Sequence, residues 1–237
     1  MSFPPLPSVG EGPGVRGKPS APWYSAGPAD ATIFPAAAII QGPGPHAPLP
    51  TRAAMKILNY PHPALRAKAR PVATLDADVV RAAGEMLELM YKHEGLGLAA
   101  QQVGLDYQLL VINFAGDPEQ KDKEVVAINP VVLEQKGAFK DREGCLSFPG
   151  LYQDIRRAKT VRVQYYDLTG QAKEMTCSDL AARVWQHEID HLHGVLFIDK
   201  MGPLARMSSR KDIEQFIAEF EEAKRKGQIP PDTEMKL

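Results

Sequence analysis

The feature that most limits how this chain can fold is the contrast between residues 1–54 and the residues that follow. The first 54 residues hold 12 of the 21 prolines and 7 of the 19 glycines but only five charged residues. Such a segment lacks apolar periodicity and helix formers, so it cannot bury enough apolar surface to offset the entropy lost on ordering. We therefore predict a disordered Pro/Gly/Ala-rich extension over 1–54 and one catalytic domain over 55–237.

Three explanations of the extension are open: a start site assigned too far upstream, a natural disordered tail, or an organellar transit peptide. We favour the first, because transit peptides are usually richer in arginine and serine than this segment, which has two arginines and four serines. A cytoplasmic location is therefore expected. The most apolar early stretch, Ala31 to Ile40, is short and broken by Pro35, so we expect neither an export signal nor a membrane span.

Charge and cysteine content exclude several classes of protein. Lys plus Arg number 28 and Asp plus Glu 29, so the formal net charge is -1. No overall positive field is present to hold nucleic acid, and direct DNA binding is not expected. The two cysteines, Cys145 and Cys177, are too few for a secreted disulfide scaffold and fit a reducing compartment.

Apolar periodicity and turn residues predict the order of secondary structure in the domain. Helical spacing predicts helices over Asp76–Glu94, from Ser178 as N-cap to Gly194, and over Ser209–Lys226. Alternating or continuous apolar runs predict strands over Gln108–Phe114, Val125–Leu133, Val161–Tyr166 and Ala172–Cys177. This order predicts an α+β fold: a single domain with antiparallel β-strands around a central helix, plus a C-terminal helix.

The strongest chemical signal is His187-Glu188-Ile189-Asp190-His191, in the second predicted helix. Histidines four residues apart project from one helical face and can both bind one metal ion, and Glu188 is near enough to reach a water on that metal. Leu180 and Val184 extend the same stripe, so we expect this face to be buried. A pair of histidines that only forms hydrogen bonds in the core is the alternative.

The third metal ligand is expected upstream, at Cys145 in Glu143-Gly144-Cys145-Leu146-Ser147. A thiolate with two neutral imidazoles leaves a divalent metal one positive charge and one open position for water, as in catalytic sites. His193 is too close to His191 to serve, and we expect it to meet the carbonyl end of the helix. Cys145 could instead be a small buried hydrophobe, as we expect for Cys177.

A third segment, Gly95 to Gln102, reads GLGLAAQQ. Its small residues let a ligand approach the backbone closely, and its terminal amide can donate a hydrogen bond. The segment follows a helix and does not open a strand-to-helix phosphate turn, so it is not a dinucleotide-binding motif. Taken alone, it is also compatible with a structural loop.

Together, GLGLAAQQ, EGCLS and HEIDH resemble the peptide deformylase family, whose hallmarks are GxGxAAxQ, EGCLS and HExDH in this order. The resemblance extends from Met55 to about the final helix. It implies a metal-dependent hydrolase that removes the formyl group from the N-terminal methionine of nascent polypeptides and releases formate. It also implies one divalent metal ion, with Fe(II) favoured and Zn, Ni or Co as alternatives, and a transient association with the ribosome.

The resemblance assigns roles residue by residue. The implied roles are metal ligands for Cys145, His187 and His191, general acid and base for Glu188, and oxyanion donors for Gln102 and the Leu146 backbone N–H. The implied pocket for the methionine side chain involves Leu96, Gly97 and Val184. Glu143 and Arg157 resemble an ion pair that braces the Cys145 segment, although an ordinary surface pair is also open.

Two other functions are weighed against this reading. A zinc peptidase that uses HExxH on internal peptide bonds would take its third ligand from a downstream His or Glu, and Cys145 argues against it. A catalytically silent binding protein, docked on the ribosome through the basic ends of the last helix, is the second. The intact Glu188 and Gln102 argue against a silent protein.

Overall fold

The computed structural model describes residues 24–28 and 55–237. Within these ranges the strands are β1 (Tyr24–Pro28), β2 (Gly97–Ala99), β3 (Leu109–Asn113), β4 (Glu124–Lys136), β5 (Phe139–Cys145), β6 (Phe148–Arg157), β7 (Thr160–Tyr166) and β8 (Ala172–Ser178). The α-helices are α1 (Ala77–Lys92), α2 (Asp179–Leu192), α3 (Pro203–Ser208) and α4 (Arg210–Arg225). Each predicted helix and strand is found, with ends that differ by a few residues.

Six strands form one antiparallel sheet in the order β1-β8-β7-β4-β3-β2, and β5 and β6 form a separate two-stranded sheet. The apolar side chains of α2, such as Val184 and Trp185, share one buried cluster with β3, β7 and β8. Burial of this face against the sheet places the helix inside the domain. The predicted α+β fold with a central helix is confirmed.

Helix α1 begins where local chemistry predicts and ends at Lys92, two residues before the predicted end. The side chain of Asp76 accepts hydrogen bonds from the backbone N–H groups of Asp78 and Val79, both at 3.0 Å, and so caps the first turn. The stripe that includes Met86 and Met90 is buried in a second cluster with β3. The helix therefore packs against β3 and leads directly into residues 95–102.

The hairpin of β5 and β6 was not predicted. Its strands carry many charged residues, and β5 is exposed along much of its first half, so the apolar alternation that marks a half-buried strand is weak. Cys145 ends β5 and lies opposite Phe148 across a two-residue turn. The hairpin thus holds Cys145 at its tip, against the rest of the domain.

Phe148 anchors this hairpin in a third buried cluster. Its ring lies 4.9 Å from the ring of Tyr60, 5.2 Å from that of Phe197 and 5.6 Å from that of Phe216, measured between centroids. Phe216 belongs to α4, so the cluster joins the hairpin to the C-terminal helix. Aromatic contacts of this kind add to the free energy gained by burying the rings.

We expect Phe148→Ala to lower the free energy of unfolding by about 3–5 kcal/mol, because it leaves a cavity among three aromatic rings. Chemical denaturation of the variant and the wild type measures the difference. Leu204→Ala is the control: Leu204 is 78% exposed, and its loss should change the free energy by less than about 0.5 kcal/mol. Equal stabilities of the Phe148 variant and the wild type would contradict this packing.

Part of the predicted disorder needs correction. Residues 24–28 form β1, which pairs with β8 in the register Tyr24 opposite Cys177 and Pro28 opposite Lys173. The physical reason is that β8 would otherwise present an edge of unpaired backbone groups, which an extended segment satisfies whatever its side chains are. Residues 1–23 and 29–54, where the rest of the prediction falls, lie outside the described residues.

No helix among the described residues is both long and apolar enough to span a lipid bilayer.

Candidate metal centre

Helix α2 carries three of the predicted functional residues into the interior. His187, Glu188 and His191 are all buried. Ser178 occupies the N-cap position, but its hydroxyl contacts the Thr160 hydroxyl at 3.0 Å and does not cap the helix. The predicted burial of Leu180 is also wrong, since it is 39% exposed. The first two residues of α2 are exposed, and burial begins at Ala181.

The three predicted metal ligands converge on one point, the metal centre (Cys145, His187 and His191). One donor atom from each lies within 4.8 Å of the others, and all three residues are buried. His191 Nε2 lies 3.3 Å from Cys145 Sγ, and the two imidazole rings are 4.9 Å apart between centroids. The tip of the β5–β6 hairpin supplies the sulfur and α2 supplies both nitrogens.

Orphaned polar atoms at this centre fit a bound metal ion. His187 Nε2 is buried and has no hydrogen-bond partner among the described residues. A buried nitrogen without a partner carries a large desolvation cost, which a metal bond would offset. One thiolate and two imidazoles are a normal donor set for a divalent transition metal. The predicted single divalent metal site therefore has its ligand groups in place.

The pKa shifts of His187 and His191 also fit a bound metal ion. Burial lowers the pKa of His191 well below its usual value, and the neighbouring His187 lowers it further. Burial also disfavours the charged form of His187, but its interactions with the nearby Cys145 and Glu143 outweigh burial and raise the pKa of His187 to about 9. Anionic surroundings that favour a proton on His187 also favour a metal cation there.

Glu143 orients His187 from the opposite side of the ring. Its Oε1 accepts a hydrogen bond from His187 Nδ1 at 2.7 Å. Because an ionised carboxylate only accepts, this bond places the ring proton on Nδ1 and leaves Nε2 for the metal. Burial alone would raise the pKa of Glu143, yet hydrogen bonds and charges from His187 and Arg157 hold it well below its usual value.

Arg157 holds the same carboxylate through two nitrogens. Its Nε lies 3.0 Å from Glu143 Oε2 and its Nη2 lies 2.5 Å from Oε1, with both side chains almost fully buried. Its Nη1 donates to Asp190. The alternative of an ordinary surface pair between Glu143 and Arg157 is therefore wrong. This pair fixes the strand that ends at Cys145.

Glu188 is fully buried and lies against the backbone of Gly97. A β-carbon built on Gly97 would be only 2.6 Å from Glu188 Oε1, closer than atoms can pack. The second glycine of GLGLAAQQ is thus needed so that this carboxylate can fit next to β2. The sequence predicted small residues here but not that Glu188 is the group they admit.

Gln102 is held with its amide nitrogen toward the metal centre. Its Oε1 accepts from the backbone N–H of Ala99 at 2.8 Å, and its Nε2 lies 3.5 Å from Cys145 Sγ and 3.3 Å from Ser147 Oγ. The orientation of the amide is fixed by the first of these bonds. Leu146 follows Cys145 directly in the hairpin turn, so its backbone N–H is next to the sulfur ligand in sequence.

The three predicted pocket residues are placed on neighbouring elements. Val184 is fully buried on α2, and Leu96 packs against the cluster to which Val184 belongs. Gly97 begins β2, beside Glu188. Val184 lies one helical turn before Glu188 on α2, and Leu96 directly precedes Gly97; their role in binding is taken up below.

The similarity to known proteins covers the part of the chain that forms the metal centre. The family model of polypeptide deformylases matches residues 54–207. The chain belongs to the polypeptide deformylase family. It is 43% identical over 165 residues to the peptide deformylase of Alkalilimnicola ehrlichii, and this match covers 70% of this chain and 92% of that protein. It is 40% identical over 173 residues to peptide deformylase 1B, chloroplastic/mitochondrial, of Arabidopsis thaliana, covering 71% of this chain and 62% of that protein.

A solved structure of a plant peptide deformylase superimposes with a TM-score of 0.71 and 37% identity, covering 79% of this chain and 100% of that one. The predicted family and fold class are therefore confirmed. Polypeptide deformylases are metal-dependent hydrolases that remove the N-formyl group from nascent polypeptides, and this chain carries the buried Cys/His/His group that such chemistry needs. The predicted enzyme class is confirmed with them.

We expect Gly97→Ala to lower the rate of deformylation by about 10²-fold while the protein keeps its metal, because the new methyl group displaces Glu188 by about an ångström. Formate release and metal content are the measurements. Gly84→Ala is the matched control, since a β-carbon at Gly84 meets nothing within 4 Å. A Gly97 variant as active as the wild type would show that Glu188 does not need this space.

Sequence reasoning missed one buried charged residue of the site, Arg183. Its Nη1 donates to Glu143 Oε2 at 2.7 Å and to the Ile155 carbonyl at 3.0 Å. The available signal was its position four residues before His187, where a charge on the buried face of a helix is unusual. Cys177, by contrast, behaves as predicted, since burial raises the pKa of its thiol to about 12.

Proposed function

We propose that this protein deformylates N-formylmethionyl nascent peptides by hydrolysis at the metal centre. The observation that carries the proposal is the placement of the Glu188 carboxylate and the Gln102 amide beside a buried Cys145–His187–His191 group. A nucleophile, a proton carrier and an oxyanion donor must surround one reacting carbon. Glu188 would be the proton carrier and Gln102 the oxyanion donor. The Cys145–His187–His191 group would hold the metal whose bound water is the nucleophile.

Cys145, His187 and His191 would hold one divalent metal ion. When bound, the metal supplies a Lewis acid that activates water at neutral pH. Fe(II) is our proposal, although the same ligand set also suits Zn, Ni and Co. Metal analysis of protein purified without oxygen from its natural source distinguishes these ions.

Glu188 is proposed to carry the proton. Its carboxylate accepts a proton from the attacking water and later delivers it to the amine nitrogen as the bond from formyl carbon to nitrogen breaks. The products are formate and a peptide with a free terminal amine. Close packing of Glu188 against Gly97 limits the carboxylate to a narrow range of positions, as repeated proton transfer requires.

Gln102 and Leu146 are proposed to stabilise the negative charge that develops on the formyl oxygen. The Gln102 Nε2 and the Leu146 backbone N–H are donors on the hairpin side of the centre. Donors fixed before the reaction need no reorganisation when charge develops. Leu96, Gly97 and Val184 are proposed to line the pocket for the methionine side chain, which fits their apolar character.

A transient association with the ribosome is proposed through α4, whose two ends are basic. Its cations are Arg210, Lys211, Lys224, Arg225 and Lys226. Two of them are already paired along the helix, Arg210 with Glu214 and Lys226 with Glu222. Cosedimentation with ribosomes at low and high salt tests the association, which should weaken as salt rises.

We propose a cytoplasmic location for the same reason that the sequence suggested it, the low arginine and serine content of residues 1–54. The Arabidopsis thaliana relative is named as chloroplastic/mitochondrial, so an organellar location is the alternative. The catalytic domain is proposed to span residues 55–237. Mass analysis of the natural N-terminus tests both proposals, because an imported protein would have lost its leading segment.

The decisive test of the activity is formate release from a formyl-Met-Ala-Ser peptide by anaerobically purified protein. The control substrates are the same peptide with an N-acetyl group and an unformylated peptide with an internal cleavage site. Release from the formyl peptide alone supports the proposal. Cleavage of the internal bond would favour a metallopeptidase, and no release by protein with a full complement of Fe(II) or Ni(II) would favour a silent metal-binding protein.

A further inference from the structure

Arg183 is a fully buried arginine that contributes no atom to the metal centre. It lies on α2, four residues before His187, so the two side chains leave the helix from successive turns of one face. Both reach the same carboxylate: Arg183 Nη1 binds Glu143 Oε2 and His187 Nδ1 binds Glu143 Oε1, each at 2.7 Å. Glu143 is thus attached to α2 at two points.

Packing against the sheet and the bond from Arg157 to Asp190 hold α2 as a whole, so the contribution of Arg183 is local to Glu143. A single bond from His187 to Glu143 would leave the imidazole and the carboxylate free to tilt against each other. The second bond, from Arg183, removes this freedom, because both oxygens of one carboxylate are then engaged by the same helix. Glu143 itself is held on the hairpin by Arg157. The position of α2 relative to β5 is therefore fixed at this carboxylate.

This position determines the geometry of the metal centre. Cys145 lies two residues after Glu143 on β5, and the two histidines lie on α2. Any shift between the two elements changes the distances from the sulfur to the nitrogens. We propose that Arg183 is a positioning residue that sets the metal affinity of the centre by locking α2 to β5 through Glu143; this inference rests on the proposed function.

Arg183 is poorly suited to be a stabilising residue. Its Nε and Nη2 are buried without hydrogen-bond partners among the described residues, although the guanidinium lies over the Phe139 ring at 4.7 Å. Removing one partner of a buried ion pair is strongly destabilising when it leaves the other charge unpaired, but without Arg183 the Glu143 carboxylate would still be paired with Arg157 and bonded to His187. We therefore expect Arg183 to act mainly on the orientation of these groups and less on folding.

Charge balance indicates that the protein folds without Arg183. The buried carboxylate of Glu143 keeps its pair with Arg157, and Asp190 keeps Arg157 and Lys200, the latter at 3.3 Å. Without Arg183, the two anions Glu143 and Asp190 would still face two cations, Arg157 and Lys200. Arg183→Met is therefore the appropriate variant: it keeps the length and apolar stem of the side chain and removes only the donors and the charge.

The charge and the position of Arg183 have opposite effects on metal affinity. A cation near the centre repels a metal ion, so removing it would tighten binding if charge dominated. Loss of the second attachment point would weaken binding, and outer-shell partners of metal ligands typically contribute 10–100-fold in affinity. The direction of the change therefore separates the two effects.

The test measures Zn(II) affinity by competition with a chromophoric chelator, the absorption spectrum of the Co(II) form, and the thermal stability of the metal-free protein. For Arg183→Met we expect about 10–100-fold weaker Zn(II) binding, an altered Co(II) spectrum, and a thermal stability close to that of the wild type. Arg183→Lys, which keeps the charge and one donor nitrogen, should bind Zn(II) with intermediate affinity.

The control is Arg66→Met, which removes another largely buried arginine, one that pairs with Asp199 and not with Glu143. Its Zn(II) affinity and Co(II) spectrum should match the wild type. The inference is overturned if Arg183→Met binds Zn(II) as tightly as the wild type or more tightly, or, should that variant not fold, if Arg183→Lys does so. Failure of the wild type to bind either metal would overturn the proposed function as well.

Discussion

Replacing Glu188 with alanine is expected to lower the rate of formate release by about 10²-fold or more, while the metal content of the protein stays unchanged. The reason is that Glu188 is not one of the three residues that converge as metal ligands in the described part of the chain, but follows His187 directly and is buried against Gly97. Without it, no carboxylate in this position can take the proton of the attacking water or return it to the leaving amine. Steady-state formate release and metal analysis of the same samples measure both effects.

Glu188→Gln is the matched control for the shape of the site. The amide fills the same space as the carboxylate but cannot accept and return a proton, so its loss of rate should be similar to that of the alanine variant. A glutamine variant that keeps most of the activity would contradict the proton-transfer role. Glu188 would then only maintain the shape of the site. Unchanged metal content in both variants excludes collapse of the centre as the cause.

Replacing Cys145 with alanine is expected to weaken metal binding by more than about 10²-fold, since even an outer-shell partner contributes 10–100-fold. Cys145 is the only sulfur of the metal centre and lies 3.3 Å from His191 Nε2. Its loss leaves two histidines on one helix, too few for a stable tetrahedral site. Metal content after gel filtration, and Zn(II) affinity by chelator competition, measure the effect.

Cys177 provides the control for Cys145. It is the second buried cysteine, and burial raises the pKa of its thiol to about 12, so it has no tendency to form a thiolate. Cys177→Ala should bind the metal as the wild type does and keep its activity. If both variants lost metal to the same degree, the cause would be a general loss of folding, and the assignment of Cys145 as a ligand would fail.

Local sequence was enough to predict α2 and the two histidines on it, because an i, i+4 pair faces one side of any helix. It was also enough for α1 and α4, whose apolar stripes repeat with the helical period. Three short motifs in order added Cys145 and Gln102, which no periodicity links to α2. The helices can be predicted from residues that are close together in the sequence. Cys145 and Gln102 can be predicted from the motifs that resemble the deformylase family.

Only the tertiary structure decided that Glu143 is held by two buried arginines, since the resemblance had suggested Arg157 alone and had left its burial open. Arg157 and Arg183 reach it from β6 and α2, at 14 and 40 residues of separation along the chain. No local pattern encodes such a meeting of charges, and a charged residue on a helix is normally assigned to the solvent side. Leu180 shows the converse, since its place on the apolar stripe suggested burial but the first two residues of α2 are exposed. Burial depends on what packs against a residue, and the sequence fixes that only through the complete fold.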